Sequence, residues 1–223
     1  MCSSDLTAPA AAAALAAPTA AAKTPLSPVS LDTLFTTAAA ADENTAWRAL
    51  AQLWGASLGA GEPCTAAASQ SLLCFRSRRG LAEVRQLDRP GIVRLVDARG
   101  RIAHALLNSF NGEQATLSVG GVETTVALAE LARVWRGEFA TFWRAPAAYR
   151  EGNITGTAAG GAWLTQRLAA ADGLGATAAN KDALQSRVAT FQLAHGLTPD
   201  GVAGPLTLMQ LGRGSDEPRL ARR

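Results

Sequence analysis

The sequence is poor in the groups that most often carry chemistry. Its 223 residues include three cysteines, two histidines and one tyrosine, and only 5% are aromatic. Lysine occurs at Lys23 and Lys181 alone, and neither follows a glycine cradle, which excludes a phosphate-binding loop. Two widely separated histidines and cysteines without ligand spacing argue against a zinc site, so no metal and no other cofactor is expected. Long apolar runs are missing too. The most apolar stretch, Ala8 to Ala22, is alanine broken by Pro9 and Pro18, too weak for a membrane span and without the basic start of a signal peptide. No apolar stretch precedes Cys2, so lipid attachment there is not expected. The opening Met-Cys-Ser-Ser-Asp-Leu reads as foreign, and we expect a fragment whose own N-terminus is missing.

What is present is globular in character, with 48% hydrophobic and 17% charged residues and a formal net charge of +3. The charge is uneven. Between Arg76 and Arg101 there are eight arginines against Glu83, Asp88 and Asp97, eight minus three, a local excess of five. A nucleic-acid binder would interleave such charge with stacking aromatics, and only Phe75 lies beside it, so nucleic acid is not an expected partner. A solvated face, or attraction to an anionic wall or membrane surface, accounts for the arginines better.

Residues 1–29 are dominated by Ala, Pro, Ser and Thr and read as a flexible tether. Residues 30–145 read as an α+β domain, helices first and antiparallel sheet second. Its first helix follows the capping residues Asp42 to Asn44 and places Trp47, Leu50, Ala51 and Trp54 on one face. A second helix is expected after Pro63, through the Ala-rich TAAASQSLL, and a third over GLAEVRQL before Pro90. Strands follow from Gly91, with Asn111-Gly112 and Gly120-Gly121 as hairpin turns, and a final strand, EFATFWR, alternates Phe139, Thr141 and Trp143 with Ala140 and Phe142. Residues 152–212 read as three short helices, and the basic tail, 213–223, as frayed. Cys64 and Cys74, ten residues apart, are placed to close a disulfide in an oxidising compartment, with two free thiols as the alternative.

The segment from Phe191 to Leu211 resembles the peptidoglycan-binding repeat of cell-wall hydrolases and envelope proteins. It supplies Phe191, Gln192, Gly196, Leu197, Asp200, Gly201, Val202, Gly204, Thr207 and Leu211 in the order and spacing of that family. Core and turn roles explain most of these. The resemblance leaves Gln192, His195, Asp200 and Thr207 as candidate contacts to a glycan-peptide polymer, which offers amides, hydroxyls and carboxylates.

Residues 40–145 resemble the papain-like cysteine peptidases that process double-glycine leader peptides. His104 matches the histidine of that family. The nucleophile does not: the chain reads ADENTAW where the thiol belongs, and the strand after Asn111 lacks the expected acid. No catalytic residue is assigned, and His104 is expected to be structural.

A degenerate peptidase-like domain before a peptidoglycan-binding repeat resembles the periplasmic half of the general secretion pathway protein A (ExeA) family. LDRPGIVRLVD, IAHALLNS and ARVWRGEFATFWRAP carry that likeness across residues 45–212. It implies a non-catalytic role, anchoring to peptidoglycan in the periplasm to help type II secretion secretin assembly. The implied partners are peptidoglycan, an inner-membrane partner protein and the secretin. Homo-oligomerisation is also implied as possible, and membrane attachment only through the missing N-terminal region. The alternative is a cell-wall hydrolase or cysteine peptidase targeted by its C-terminal repeat.

Overall fold

A computed structural model describes residues 31–36, 42–150, 152, 154–175, 180–214 and 216–221. The expected tether over residues 1–29 lies outside them. After a 3₁₀ turn at Leu31–Phe35, the elements are α1 (Glu43–Leu53), α2 (Pro63–Ala68), β1 (Leu73–Ser77), α3 (Leu81–Leu87) and β2 (Gly91–Val96). Then come β3 (Ile102–Phe110), β4 (Gln114–Val119), β5 (Val122–Ala127), α4 (Leu128–Val134), β6 (Trp135–Trp143), α5 (Ala158–Asp172), α6 (Lys181–Ala194) and α7 (Pro205–Leu211). The six strands form one antiparallel sheet in the order β1-β6-β2-β3-β4-β5. The class is α+β, as the pattern of elements implied.

Local chemistry sets the boundaries. Asp42 caps α1, its carboxylate accepting from the N–H groups of Asn44 and Thr45. Glu62 does the same for α2, with Pro63 at the first helical position. The Ala-rich second helix is shorter than its composition implied. It stops at Ala68, Ser71 turns left-handed at φ 60°, and Leu73–Ser77 becomes the edge strand β1. Between β3 and β4 the Asn111 side chain accepts from the N–H groups of Glu113 and Gln114. That turns the chain as the Asn-Gly pair predicted.

Both faces of the sheet are covered. On one, Ile92, Leu106, Ala140 and Phe142 pack with Trp47, Leu50, Ala51 and Trp54 of the α1 region. On the other, Val93, Leu95, Ala105, Leu107, Leu117, Phe139 and Trp143 form a core that continues without a break into the C-terminal helices. It reaches Leu164, Leu168, Val188, Phe191, Leu208 and Leu220. All five residues Phe139 to Trp143 are therefore buried, because the inward and outward sets of β6 each meet a helical layer. The helical module is the second cover of the sheet.

That junction is hydrogen-bonded as well as apolar. Gln86 in α3 donates to the carbonyl of His195, while its own carbonyl accepts from Gln210 (2.7 Å) and Arg213 (2.8 Å). Arg89, 2% exposed, reaches the carbonyl of Met209 at 3.2 Å and the Glu217 carboxylate at 2.6 Å, with its guanidinium over the Trp54 ring. The tail departs from the fraying expected of it. Leu220 is buried, its N–H donates to the carbonyl of Asp88, and Ala221 donates to Asn108 and bridges Ser109. A basic composition had suggested solvation, but Leu220 finds apolar cover and the backbone finds two carbonyls.

Candidate functional site

The region singled out by sequence lies between α6 and α7. Helix α6 ends with two hydrogen bonds that close its last turn, Gly196 N–H to the carbonyl of Leu193 (3.2 Å) and Leu197 N–H to that of Gln192 (2.8 Å). Gly196 takes the left-handed conformation this cap needs, at φ 66°. The loop that follows is held by one side chain. Gln192, 2% exposed, places its amide nitrogen 2.8 Å from the Asp200 carboxylate, 2.9 Å from the carbonyl of Val202 and 3.1 Å from the Thr207 hydroxyl. Its oxygen accepts from the Gly201 N–H at 2.9 Å. The same Asp200 oxygen also accepts from the Val202 N–H at 2.8 Å. That N–H and then the Gln192 amide hold the Asp200 carboxyl below the usual aspartate range.

Of the four sequence candidates, three come together in this network and one does not. Gln192 and the 3% exposed Thr207 face inward with their hydrogen bonds used inside the protein. They shape the loop. Asp200 is exposed at the edge of a groove of about 180 Å³, beside Leu197, Val202 and Pro205. His195 lies outside it, its ring stacked on Phe191 with centroids 4.0 Å apart and Nδ1 2.9 Å from the Phe191 carbonyl. Sequence reasoning missed Phe75 and Arg79, which line the same groove from β1 and the β1–α3 turn of the sheet half. Adjacency across more than a hundred residues leaves no local signal.

The sheet half carries a second, larger cleft of about 570 Å³, at the N-terminal end of α1. Glu43, Arg76, Arg94, His104 and Glu138 line it. Arg94 and His104 are register partners on β2 and β3, and Glu138 pairs with Arg78 at 3.2 Å and Arg94 at 3.6 Å. Glu43 pairs with Arg76 and accepts from the Trp47 indole. His104 Nδ1 and one Glu138 oxygen are buried without a hydrogen-bond partner among the described residues. Cys64 and Cys74 are joined as a disulfide, with Cα atoms 5.6 Å apart. A bonded sulfur is no nucleophile. Among the described residues no group of three or more His, Cys, Asp or Glu is placed to hold a metal.

Known proteins resemble the chain in both halves. Residues 161–211 match the family described as "Putative peptidoglycan binding domain". General secretion pathway protein A of Aeromonas hydrophila is 30% identical over 187 residues, 80% of this chain and 34% of that protein. The chain is a relative of that protein. It spans about a third of the relative's length. The crystal structure of a periplasmic domain of the EpsAB fusion protein of the Vibrio vulnificus type II secretion system matches with a TM-score of 0.50 and 26% identity. That likeness covers 78% of this chain and 79% of the EpsAB domain. The sequence motifs implied the periplasmic region of the general secretion pathway protein A family, and the similarities to the Aeromonas hydrophila protein and to the EpsAB periplasmic domain agree with that reading. No helix among the described residues is long and apolar enough to cross a membrane.

Proposed function

We propose that this chain is the non-catalytic, peptidoglycan-binding part of a type II secretion assembly protein, working in the periplasm and anchoring to the cell wall to help secretin assembly. The observation that carries the reading is the match of residues 161–211 to a peptidoglycan-binding family, on a loop that Gln192 fixes from within. A prefolded loop loses little freedom on meeting a polymer, so a shallow groove can retain it. The wall contacts are the exposed groove residues around Asp200 and Val202, with Gln192 and Thr207 behind them and His195 at the flank. Residues 30–145 form the sheet unit and 152–212 the wall-binding unit. The partners are the secretin and an inner-membrane protein of the pathway, with attachment to the inner membrane and self-association belonging to the whole protein.

The cleft around His104 supports this non-catalytic reading, since among the described residues no thiol lines it and the imidazole Nδ1 has no hydrogen-bond partner. The test is co-sedimentation of the full chain with insoluble peptidoglycan, with cellulose as the control polymer and released muropeptides followed in the same tubes. Pelleting with the wall alone and no released fragments is expected. Released fragments would overturn the non-catalytic reading, and absence from the wall pellet would overturn wall binding.

A further inference from the structure

We propose that the wall-binding groove is shared by the two halves of the chain, and that Arg79 of the sheet half binds a free carboxylate of a wall stem peptide there. The inference rests on the wall-binding reading and deepens it. Phe75 and Arg79 line the groove opposite Leu197, Asp200, Val202 and Pro205, so the cavity exists only with both halves in place. Their relative position is fixed nearby. Gln86, on the helix that begins two residues after Arg79, is bonded to His195, Gln210 and Arg213 of the module.

Arg79 is oriented from below. Its Nε lies 3.8 Å from a Glu83 oxygen, a carboxylate only 3% exposed whose oxygens have no hydrogen bond among the described residues. The side chain is 61% exposed, and its two Nη groups make no hydrogen bond among the described residues. A guanidinium held at one edge with two parallel donors open is the geometry that takes a carboxylate in bidentate fashion. The module side of the groove offers little competition, because the Gln192 amide donates inside the protein, the Thr207 hydroxyl that accepts from it is buried, and Asp200 is itself an anion. The ligand class follows from the wall's own chemistry. Glycan strands present hydroxyls and acetamides, whereas uncrosslinked stem peptides end in carboxylates. Unspent positive charge at the mouth favours the stem peptide, with Phe75 and Val202 as apolar walls beside it.

The experiment titrates full chains against insoluble peptidoglycan: the parent, Arg79→Ala, Arg79→Lys and, as control, Arg133→Ala. Arg133 is another exposed arginine, on α4 and absent from the groove lining. Each is run on native wall and on wall whose carboxylates have been amidated with carbodiimide and methylamine, and melting temperatures are recorded. Arg79→Ala is expected to weaken binding to native wall about tenfold, the scale of one charge-assisted hydrogen bond. Arg79→Lys recovers part of it, Arg133→Ala matches the parent, and all four melt alike. Amidation should bring the parent down to the Arg79→Ala level while leaving Arg79→Ala unchanged. Equal binding by the parent and Arg79→Ala, or an equal Arg79→Ala deficit on both walls, overturns the inference and leaves wall binding standing. A parent that binds neither wall overturns the underlying reading instead.

Discussion

Around Gln192, four hydrogen bonds of 2.8–3.1 Å tie a helix to a loop, and no polar atom of that side chain is left over. Around His104, three arginines and two glutamates line a cleft three times as large, yet His104 Nδ1 and one Glu138 oxygen are buried without partners among the described residues. Both clusters contain the residue types that suggest chemistry in a sequence. The difference teaches that a motif's polar residues can be its architecture. Where they are fully spent, recognition falls to what surrounds them. Where they are unspent, hydrogen-bonding capacity is left open inside the cleft.

The comparison predicts that stability is concentrated where polar groups are spent, and the junction should show the largest effect. Burial holds the Glu217 carboxyl above the usual range against the pull of Arg89, and burial also lowers the Arg89 guanidinium from its ordinary value. Glu217→Ala would leave Arg89, 2% exposed, with Met209 and Trp54 but no counter-charge. A loss of about 3–5 kcal/mol in chemical denaturation is expected, the scale of an uncompensated buried charge. A loss under about 1 kcal/mol would mean that apolar contact alone seats the module. The raised carboxyl also sets a direction with pH. The folded state binds the Glu217 proton more tightly than the unfolded chain does. Its contribution is complete below the unfolded carboxylate range and declines as pH rises through the folded value.

Gln192→Ala comes next. It strands the Gly201 N–H, the Val202 carbonyl and the Thr207 hydroxyl, so a loss of about 2–4 kcal/mol is expected, read as a lower denaturation midpoint. Asp200 gives this loop a pH signature of the opposite sign. Its carboxyl is depressed in the fold, so its stabilisation is present above the unfolded aspartate range and is lost as pH falls through the folded value. Gln192→Ala should flatten that acid-side slope. An unchanged slope would show that the backbone N–H of Val202 alone depresses Asp200.

On the cleft side the comparable brace is covalent. The Cys64–Cys74 disulfide links α2 to β1 across a separation of ten residues, and closing so short a loop is worth about 2–3 kcal/mol in the chain-entropy account. Reduction should lower the melting temperature while leaving attachment to wall material at low temperature intact. Loss of wall binding at a temperature where the reduced chain is folded would couple the disulfide to the groove through β1, which carries both Cys74 and the groove residue Phe75.

Much of this was legible in the sequence because it is local. The α1 face of Trp47, Leu50, Ala51 and Trp54 is buried as its spacing required, and Asn111 makes the turn it promised. The edge strand β1 was obscured by the alanines before it. Helical propensity favoured continuing α2, whereas the chain turns at Ser71 so that Leu73 to Ser77 can pair with β6. The sequence places two glycines, Gly160 and Gly161, inside α5, where they would weaken a helix. Gly160 is instead required, since a Cβ there would fall 1.7 Å from the carbonyl oxygen of Ile154. The family motif singled out Gln192, Asp200 and Thr207 together, but not that Gln192 and Thr207 turn inward, because their burial depends on how the helices and the loop pack. The docked tail and the position of Arg79 were illegible for the same reason. Their partners lie about 110 to 130 residues away, and no periodicity carries information over that distance.

The smallest expected effect is the one that best distinguishes unspent polar groups from a brace. His104 sits on β3 opposite Arg94, half-buried, with Nδ1 enclosed and unpartnered among the described residues. An unsatisfied buried nitrogen costs free energy, so His104→Leu, which removes it while keeping a side chain of similar length, should change stability by less than about 1 kcal/mol or raise it. Gln192→Leu, the same polar-to-apolar exchange in the spent cluster, should be destabilising because its partners remain. Denaturation of the two variants side by side reads the comparison directly. If His104→Leu is the costlier, the imidazole is a structural keystone whose partner is a bound water or ligand. The cleft at the start of α1 would then be an occupied polar site.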